Sequence, residues 1–274
     1  MSTVQELRER FRRLHDDGLF VMPNPWDLGS ARLLAALGFP ALATTSSGHA
    51  ATLGRLDQQV SRDELLAHAA AMAAAVDVPF NVDAEHGFAS DPAGVAETVR
   101  LIARTGAAGC SIEDYDPATE RIEPLEAAAE RVAAAAEVAA SHGLVLTARA
   151  ENHLYDLDDL DDTIARLEAY RDAGADVVYA PGLADLEDIS RVVQEVAIPV
   201  NVLARVDGPP VHELASVGVR RVSTGGALAW AAYGALVTAA RELRDAGTSG
   251  YLHSALSEDD LEAALGRAGR DPAG

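Results

Sequence analysis

Asp83 and Glu85 stand two residues apart in the run Asn81-Val82-Asp83-Ala84-Glu85-His86-Gly87, and Glu113 follows in Ser111-Ile112-Glu113-Asp114. In an extended strand, side chains at i and i+2 share a face, so a strand here would aim Asp83 and Glu85 the same way. Converging carboxylates repel one another and raise each other's pKa unless a cation lies among them. Oxygen ligands suit a hard divalent ion, and without a dense His/Cys set Mg2+ is expected over zinc. The competing reading is a group of ordinary surface or salt-bridged acids. Arg149, in Thr147-Ala148-Arg149, carries a planar donor fork that suits a substrate carboxylate.

Other groups are open to two readings. Thr44-Thr45-Ser46-Ser47-Gly48-His49 offers hydroxyls and, at Gly48, close backbone access to a developing oxyanion, but small polar residues are also common in loops. Asp57 reads as an exposed turn acid or as part of a site, and His86 as a ligand donor or a structural rim contact. Asn152, Asn201 and Arg205 follow or end apolar runs. The single cysteine, Cys110, reads as buried packing and not as a nucleophile.

The elements that must position these residues repeat along the chain. An amphipathic N-terminal helix is expected from Val4, Leu7, Phe11 and Leu14, with Gly18 ending it. Eight short apolar or β-branched segments then read as buried strands: 19–23, 41–45, 79–85, 109–114, 144–150, 177–181, 199–204 and 219–224. Helical stretches separate them at 28–37, 62–77, 92–105, 124–142, 159–173, 185–196, 209–217 and 227–245. Asp27 caps the first of these, Ser61 with Glu64 forms a capping box on the second, and Gly38, Gly106, Gly143, Gly174 and Gly218 mark helix ends. Eight strand–helix units predict an α/β fold, a (β/α)8 TIM barrel, as one domain over residues 1–274. Residues 258–266 add a C-terminal helical extension, placed against the same subunit or a partner. In such barrels the site lies where strand C-termini meet the following helices, which gathers Asp83, Glu85, Glu113, Arg149 and Asn201 at one rim.

Composition narrows the chemistry. All 22 basic residues are arginine, so a lysine Schiff base and pyridoxal-phosphate catalysis are excluded. A net charge of −21 argues against binding nucleic acid or an anionic membrane. The glycines form no dinucleotide fingerprint after an initial strand. One cysteine allows no internal disulfide, and no signal or membrane-spanning run is evident, so a cytoplasmic protein is expected.

Several motifs, in order on successive strands, resemble the isocitrate lyase and phosphoenolpyruvate mutase superfamily, in its carboxyvinyl-carboxyphosphonate phosphorylmutase-like branch. They are Pro23-Asn24-Pro25-Trp26-Asp27, Thr45-Ser46-Ser47-Gly48, Leu53-Gly54-Arg55-Leu56-Asp57, the Asp83/Glu85 and Glu113 runs, Thr147-Ala148-Arg149, Pro199 through Ala204, and Arg221-Val222-Ser223-Thr224-Gly225-Gly226. The resemblance implies a Mg2+-dependent enzyme that makes or breaks a C–C or P–C bond beside a small 2-oxo or enol carboxylate, through an enolate-like species. It implies Asp83 as direct metal ligand, with Asp57, Glu85 and Glu113 helping, partly through water. Thr45, Ser46, Ser47 and Gly48 would hold enolate or carboxylate oxygens, and Arg149 would clamp the substrate carboxylate. Asn201 and Glu113 complete the candidate catalytic set. The resemblance also implies a homo-oligomer, a tetramer with exchanged C-terminal helices being one arrangement.

One region departs from the pattern. Isocitrate and methylisocitrate lyases share a lid with a Lys-x-Cys-Gly-His motif, whereas residues 114–123 here contain neither lysine nor cysteine, and the Lys and Asn lid pattern of phosphonate-forming mutases is missing too. A standard cysteine-dependent isocitrate lyase is therefore rejected. A lyase or decarboxylase acting on a 2-oxo acid leads, with Tyr115, His86 and Thr119 as candidate proton donors. Phosphonopyruvate hydrolase or phosphoenolpyruvate mutase-like chemistry is the alternative, and a catalytically silent metabolite-binding protein a third.

Overall fold

The computed structural model describes residues 2–266. Eight parallel strands form the barrel: β1 (Phe20–Met22), β2 (Leu42–Ala43), β3 (Phe80–Asp83), β4 (Gly109–Glu113), β7 (Val145–Arg149), β8 (Val177–Tyr179), β9 (Val200–Leu203) and β10 (Arg221–Ser223). They pair in the order β1-β10-β9-β8-β7-β4-β3-β2. The seam between β1 and β2 is joined by the Ala43 amide, which donates to the Pro23 carbonyl at 3.1 Å, and by Asn24 Nδ2 to the Thr44 carbonyl at 2.7 Å. The expected (β/α)8 architecture is thus present.

The helices are α1 (Val4–Arg13), α2 (Leu28–Ala36), α3 (Ser46–Thr52), α4 (Arg62–Ala75), α5 (Pro92–Ala103), α6 (Leu125–His142), α7 (Leu160–Asp172), α8 (Leu186–Val196), α9 (Val211–Ser216), α10 (Ala227–Ala246) and α11 (Glu258–Leu265). Asp27 and the Ser61/Glu64 box cap α2 and α4 as expected, each side chain accepting an otherwise orphaned backbone N–H. Gly143 ends α6 at φ +73°, a left-handed turn that costs glycine nothing. Among the elements not anticipated are the seven-residue helix α3 and a small hairpin of β5 (Tyr115–Asp116) and β6 (Arg121–Ile122) in the lid region.

Strand alternation divides the core. Outward residues such as Val82, Cys110, Ile112, Leu146, Ala148, Val178, Val202 and Val222 pack against the helices in the main apolar layer. Inside the barrel, the lower end is closed by Phe11 of α1, packed with Phe20, Met22, Val145 and Val177. Burying that ring contributes on the order of 2–3 kcal/mol. A Cβ on Gly109 would meet Phe11 at 2.7 Å, so this strand residue has to be glycine for the plug to seat. Above the plug the interior turns polar, with Asn81, Ser111, Thr147, Asn201, Arg221 and Ser223 all buried.

The C-terminal extension splits in character. α11 packs on α2 of its own chain, while Met1 and residues 267–274 lie outside the described residues. The 20-residue α10 buries only Ala229. Among the described residues, no helix is long and apolar enough to cross a membrane.

Candidate active site

A cavity of about 200 Å3 opens at the C-terminal rim, lined among others by Asp57, Asp83 and Arg149. β3 carries Asp83 to its edge, and the Asp83 amide donates to Thr44 Oγ1 at 2.7 Å, fixing the end of β3 to that of β2. β7 presents Arg149 two strands away. Arg149 Nη1 lies 2.8 Å from Asp83 Oδ1, Nη2 3.2 Å from Glu113 Oε2 and Nε 2.8 Å from Glu151 Oε1. Its guanidinium also lies 5.4 Å above the Tyr179 ring, a cation–π contact. One arginine therefore faces three carboxylates, and the charge around it is net negative.

The pKa directions record the burial of these acids first and their mutual repulsion second. Burial, then the charges of Asp83 and Asp57, push Glu85 up to about 8. Glu151 is pushed up to about 7, chiefly by burial, against the opposing pull of Arg149. Glu113 is raised well above the ordinary carboxylate range by burial. It accepts a hydrogen bond from Gln58 Nε2 at 3.1 Å.

The expected residues fall into distinct positions. Thr45, Ser46, Ser47, Asp57, Asp83, Arg149 and Asn201 line the cavity. Asp57 is an exposed residue of a turn and a cavity wall at once. Glu113 and Glu85 are buried and do not line it. For Glu85 the i, i+2 argument does not hold: β3 ends at Asp83, and Glu85 adopts φ +49°, which breaks the alternation. Gly48 does not line the cavity either. Its amide donates to Thr45 Oγ1 at 3.3 Å, and a Cβ there would meet Thr45 Cγ2 at 2.6 Å and Trp26 Cβ at 2.9 Å, so packing accounts for the glycine. The Ser46 amide points the other way, to Asp83 Oδ2 at 3.3 Å.

Arg205 is exposed and away from the cavity wall. Asn152 is buried at the start of a short 3-10 helix, Asn152–Tyr155, its Nδ2 donating to Thr163 Oγ1 at 2.6 Å. Cys110 is fully buried, its thiol pushed up to about 12 by burial, as packing requires. His86, Tyr115 and Thr119 are absent from the cavity lining. Tyr115 stacks on Tyr155 with ring centroids 3.9 Å apart and planes at 8°, and this pins the hairpin against the turn after β7.

Sequence reasoning passed over several lining residues. Asn24 is one: its Oδ1 accepts from the Thr224 and Gly225 amides at 2.9 and 3.1 Å, tying the last βα turn to the first. Tyr179, Ser223 and Arg221 are others. For Arg221 a signal existed, since a charged residue inside a short apolar strand must face a polar interior.

With this geometry in place, comparison with known proteins is decisive. A family model for phosphoenolpyruvate phosphomutase matches residues 11–244. The chain belongs to that family. A crystal structure of a candidate lyase/mutase from Burkholderia cenocepacia is similar at 49% identity and a TM-score of 0.90, over 94% of this chain and 95% of that one. An uncharacterized protein of Mycobacterium tuberculosis is 36% identical over 86% of this chain and 89% of its own length. An oxaloacetate decarboxylase of Pseudomonas aeruginosa is 29% identical over 94% of this chain and 92% of its own. The resemblance read from the motifs therefore stands, and with it the reading of the chain as an enzyme of this superfamily.

Proposed function

We propose that this enzyme is a Mg2+-dependent lyase or decarboxylase for a small 2-oxo carboxylate, working through an enolate-like species. The observation that carries the reading is Asp83 and Arg149 in contact at 2.8 Å on the wall of one rim cavity, with more carboxylates around them than one guanidinium can balance. The relative that decarboxylates oxaloacetate supports the substrate class.

Among the described residues no three His, Cys, Asp or Glu side chains form a ready-made metal cage. Mg2+ does not need one, since it keeps several waters and takes one or two protein carboxylates. Burial, and after it the charges of Asp83 and Asp57, push Glu85 up to about 8, and a divalent cation would relieve the part that comes from those charges, so the residues fit. Asp83 would hold it directly, and Asp57, Glu85 and Glu113 would help, partly through water. Bound there, Mg2+ would supply neutralisation of the charge that develops on the oxo-acid oxygens.

The chain's own residues do the rest. Arg149 offers a planar fork to the substrate carboxylate, which would replace or share one of its three acids. Thr45, Ser46 and Ser47 place hydroxyls on the cavity wall, and Asn201 closes its floor. In a decarboxylation the C–C bond breaks, CO2 leaves, and its electron pair stays as the enolate, which then takes a proton at carbon. Because His86, Tyr115 and Thr119 stand off the cavity wall, water is favoured as the proton source.

The test is a panel of oxaloacetate, substituted malates, phosphonopyruvate and carboxyphosphonoenolpyruvate, with products identified directly. Expected is pyruvate-yielding turnover of a 2-oxo acid, lost on chelation and restored by Mg2+. Protons compete with the metal for Glu85, so Mg2+ affinity should rise as pH rises through about 8. Turnover indifferent to chelation removes the metal from the proposal. Phosphate released from phosphonopyruvate, with oxaloacetate untouched, moves the reading to the P–C chemistry after which the family is named. Ligand binding with no turnover of any panel member makes the protein a silent binder.

We also propose a homo-oligomer. Trp230, Leu236 and Leu243 on α10 remain 52%, 61% and 52% exposed, far more apolar surface than a lone helix leaves in water. A second copy of the chain is the occupant proposed for that face. Light scattering should give a multiple of 28.6 kDa, and Leu236→Glu with Leu243→Glu should shift it to the monomer. A monomeric mass for the unaltered protein refutes the assembly.

A further inference from the structure

Arg221 is a large side chain buried at 2% exposure at the start of β10. Each of its nitrogens meets a neutral acceptor: Nε lies 2.8 Å from Asn201 Oδ1, Nη2 2.8 Å from Thr147 Oγ1 and Nη1 3.2 Å from His15 Nε2. The His15 tautomer follows from its other contact. His15 Nδ1 is 2.9 Å from the Phe11 carbonyl, an acceptor, so Nδ1 carries the proton and Nε2 turns a lone pair to Arg221. Burial, and next Arg221 itself, push His15 down to about 3, so the ring is neutral.

Among the described residues, Arg221 has no ion-pair partner, whereas Arg131, Arg149 and Arg166 each touch a carboxylate; the buried Arg8 also lacks one, but it sits outside the cavity and spends its nitrogens on the Ala107, His142 and Ala103 carbonyls. Burial lowers Arg221 to about 9, which still leaves it charged at neutral pH. A buried, uncompensated charge costs several kcal/mol unless something answers it. Two facts say what could. Arg221 lines the same cavity as Asp83 and Arg149. Each terminal nitrogen bears two hydrogens and spends one, which leaves two N–H groups free.

Its depth can be placed. Arg221 grips Thr147, two residues before Arg149 on β7, so it stands one layer, about 6.6 Å, below Arg149 along the strand. Arg149 at the rim is saturated with acids, while Arg221 on the floor has none.

We infer that Arg221 is the anion anchor of the cavity floor, taking an oxyanion of a small bound acid on its two free N–H groups while Asn201, Thr147 and neutral His15 hold the guanidinium in place. The role rests on the reading of the cavity as an acid-binding site, but not on any reaction there. It separates the two cations: Arg149 shares its charge with rim carboxylates, and Arg221 supplies the unshared positive charge that draws a second negative group downward.

The experiment measures binding, so its outcome is independent of turnover. Oxalate, malonate and succinate are titrated calorimetrically against acetate, at fixed Mg2+, into the full-length protein and variants. Arg221→Gln should weaken the best-bound dianion roughly 30-fold or more and acetate much less. Arg221→Lys should recover part of the loss. Because Arg221→Gln could unfold the barrel, His15→Glu is the second arm. His15 borders a separate cavity of about 120 Å3 at the opposite end of the barrel, with Arg12, Asp16 and Asp176, so its replacement leaves the active-site wall untouched. A glutamate there would pair with Arg221 from below and is expected to weaken the dianion about tenfold without lowering the melting temperature. A purely structural Arg221 predicts unchanged dianion affinity in His15→Glu, and that result overturns the inference. So does a wild-type protein that binds none of the dianions better than acetate, or a folded Arg221→Gln that loses dianion and acetate equally.

Discussion

Asp83→Ala is expected to lower kcat/KM on the best substrate of the panel by roughly a thousandfold or more, equivalent to about 4 kcal/mol of transition-state stabilisation. Asp83 has three tasks that converge on two oxygens. Oδ1 receives Arg149 Nη1 at 2.8 Å, Oδ2 receives the Ser46 amide at 3.3 Å, and both face the cavity as the proposed direct metal ligand. Removing it takes away the ligand and releases Arg149 toward Glu113 and Glu151, which still hold it at 3.2 and 2.8 Å. The guanidinium thus keeps two acids, so the loss of folding stability should be smaller than for a buried pair broken outright. The measurement is steady-state kinetics at saturating Mg2+, with circular dichroism to verify the fold and calorimetry to read Mg2+ binding. Asp83→Asn preserves the shape and a hydrogen bond but not the charge, and should be nearly as inactive. Activity within tenfold of wild type in Asp83→Ala would sink the site assignment.

The contrast between Asp83 and Glu85 shows where reading from sequence stops. The strand around residues 79–85 is legible because Phe80 and Val82 alternate with polar neighbours, and the rim position of Asp83 follows from the barrel rule. The path of the chain two residues later does not follow, because the alternation lapses once β3 ends and a left-handed φ at Glu85 redirects the chain. The helix α3 was hidden for a related reason. Ser46-Ser47-Gly48 has poor helical propensity, and the helix exists because Thr45 accepts from the Gly48 amide and Trp26 packs where a side chain would otherwise sit. Tertiary contacts decide there.

Strands and most helices were legible because each is specified locally, by alternation, a cap and a terminal glycine. The interior of the barrel was not. Arg221, Asn24 and Tyr179 reach the cavity through partners 20 to more than 200 residues away, such as His15 for Arg221 and Thr224 for Asn24. A single sequence holds no trace of such pairings. The acid that saturates Arg149 from its own strand end, Glu151, was in reach: it stands at i+2 from Arg149, beside Asn152, and was passed over for the more distant carboxylates.

Asp114→Ala should cost about 3–5 kcal/mol of folding stability, the range for breaking a buried ionic network by deleting one member. Asp114 follows Glu113 and turns away from the cavity. It is 2% exposed and accepts from Tyr170 Oη at 2.6 Å, Arg166 Nη1 at 3.1 Å and the Glu151 amide at 2.9 Å. Burial raises its carboxyl, and the Tyr170 and Glu151 hydrogen bonds pull it back. Deleting it strands the buried Tyr170 phenol, whose desolvation cost is no longer met, and takes one of two carboxylates from Arg166, which keeps Asp162 at 2.7 Å and the Glu123 carbonyl at 2.9 Å. Per-kcal shifts for domains of this size translate the loss into a melting temperature roughly 6–20 °C lower. Asp114→Asn keeps an acceptor for Tyr170 but sets an amide N–H against Arg166 or the Glu151 amide, so its loss should be smaller. The Glu151 amide begins the turn that aims Glu151 at Arg149 Nε, so activity should fall in the folded fraction as well. Differential scanning calorimetry with kinetics below the transition separates the two effects. If Asp114→Ala melts within 2 °C of wild type, the network contributes little to stability, and the buried acid must be explained by the site it supports.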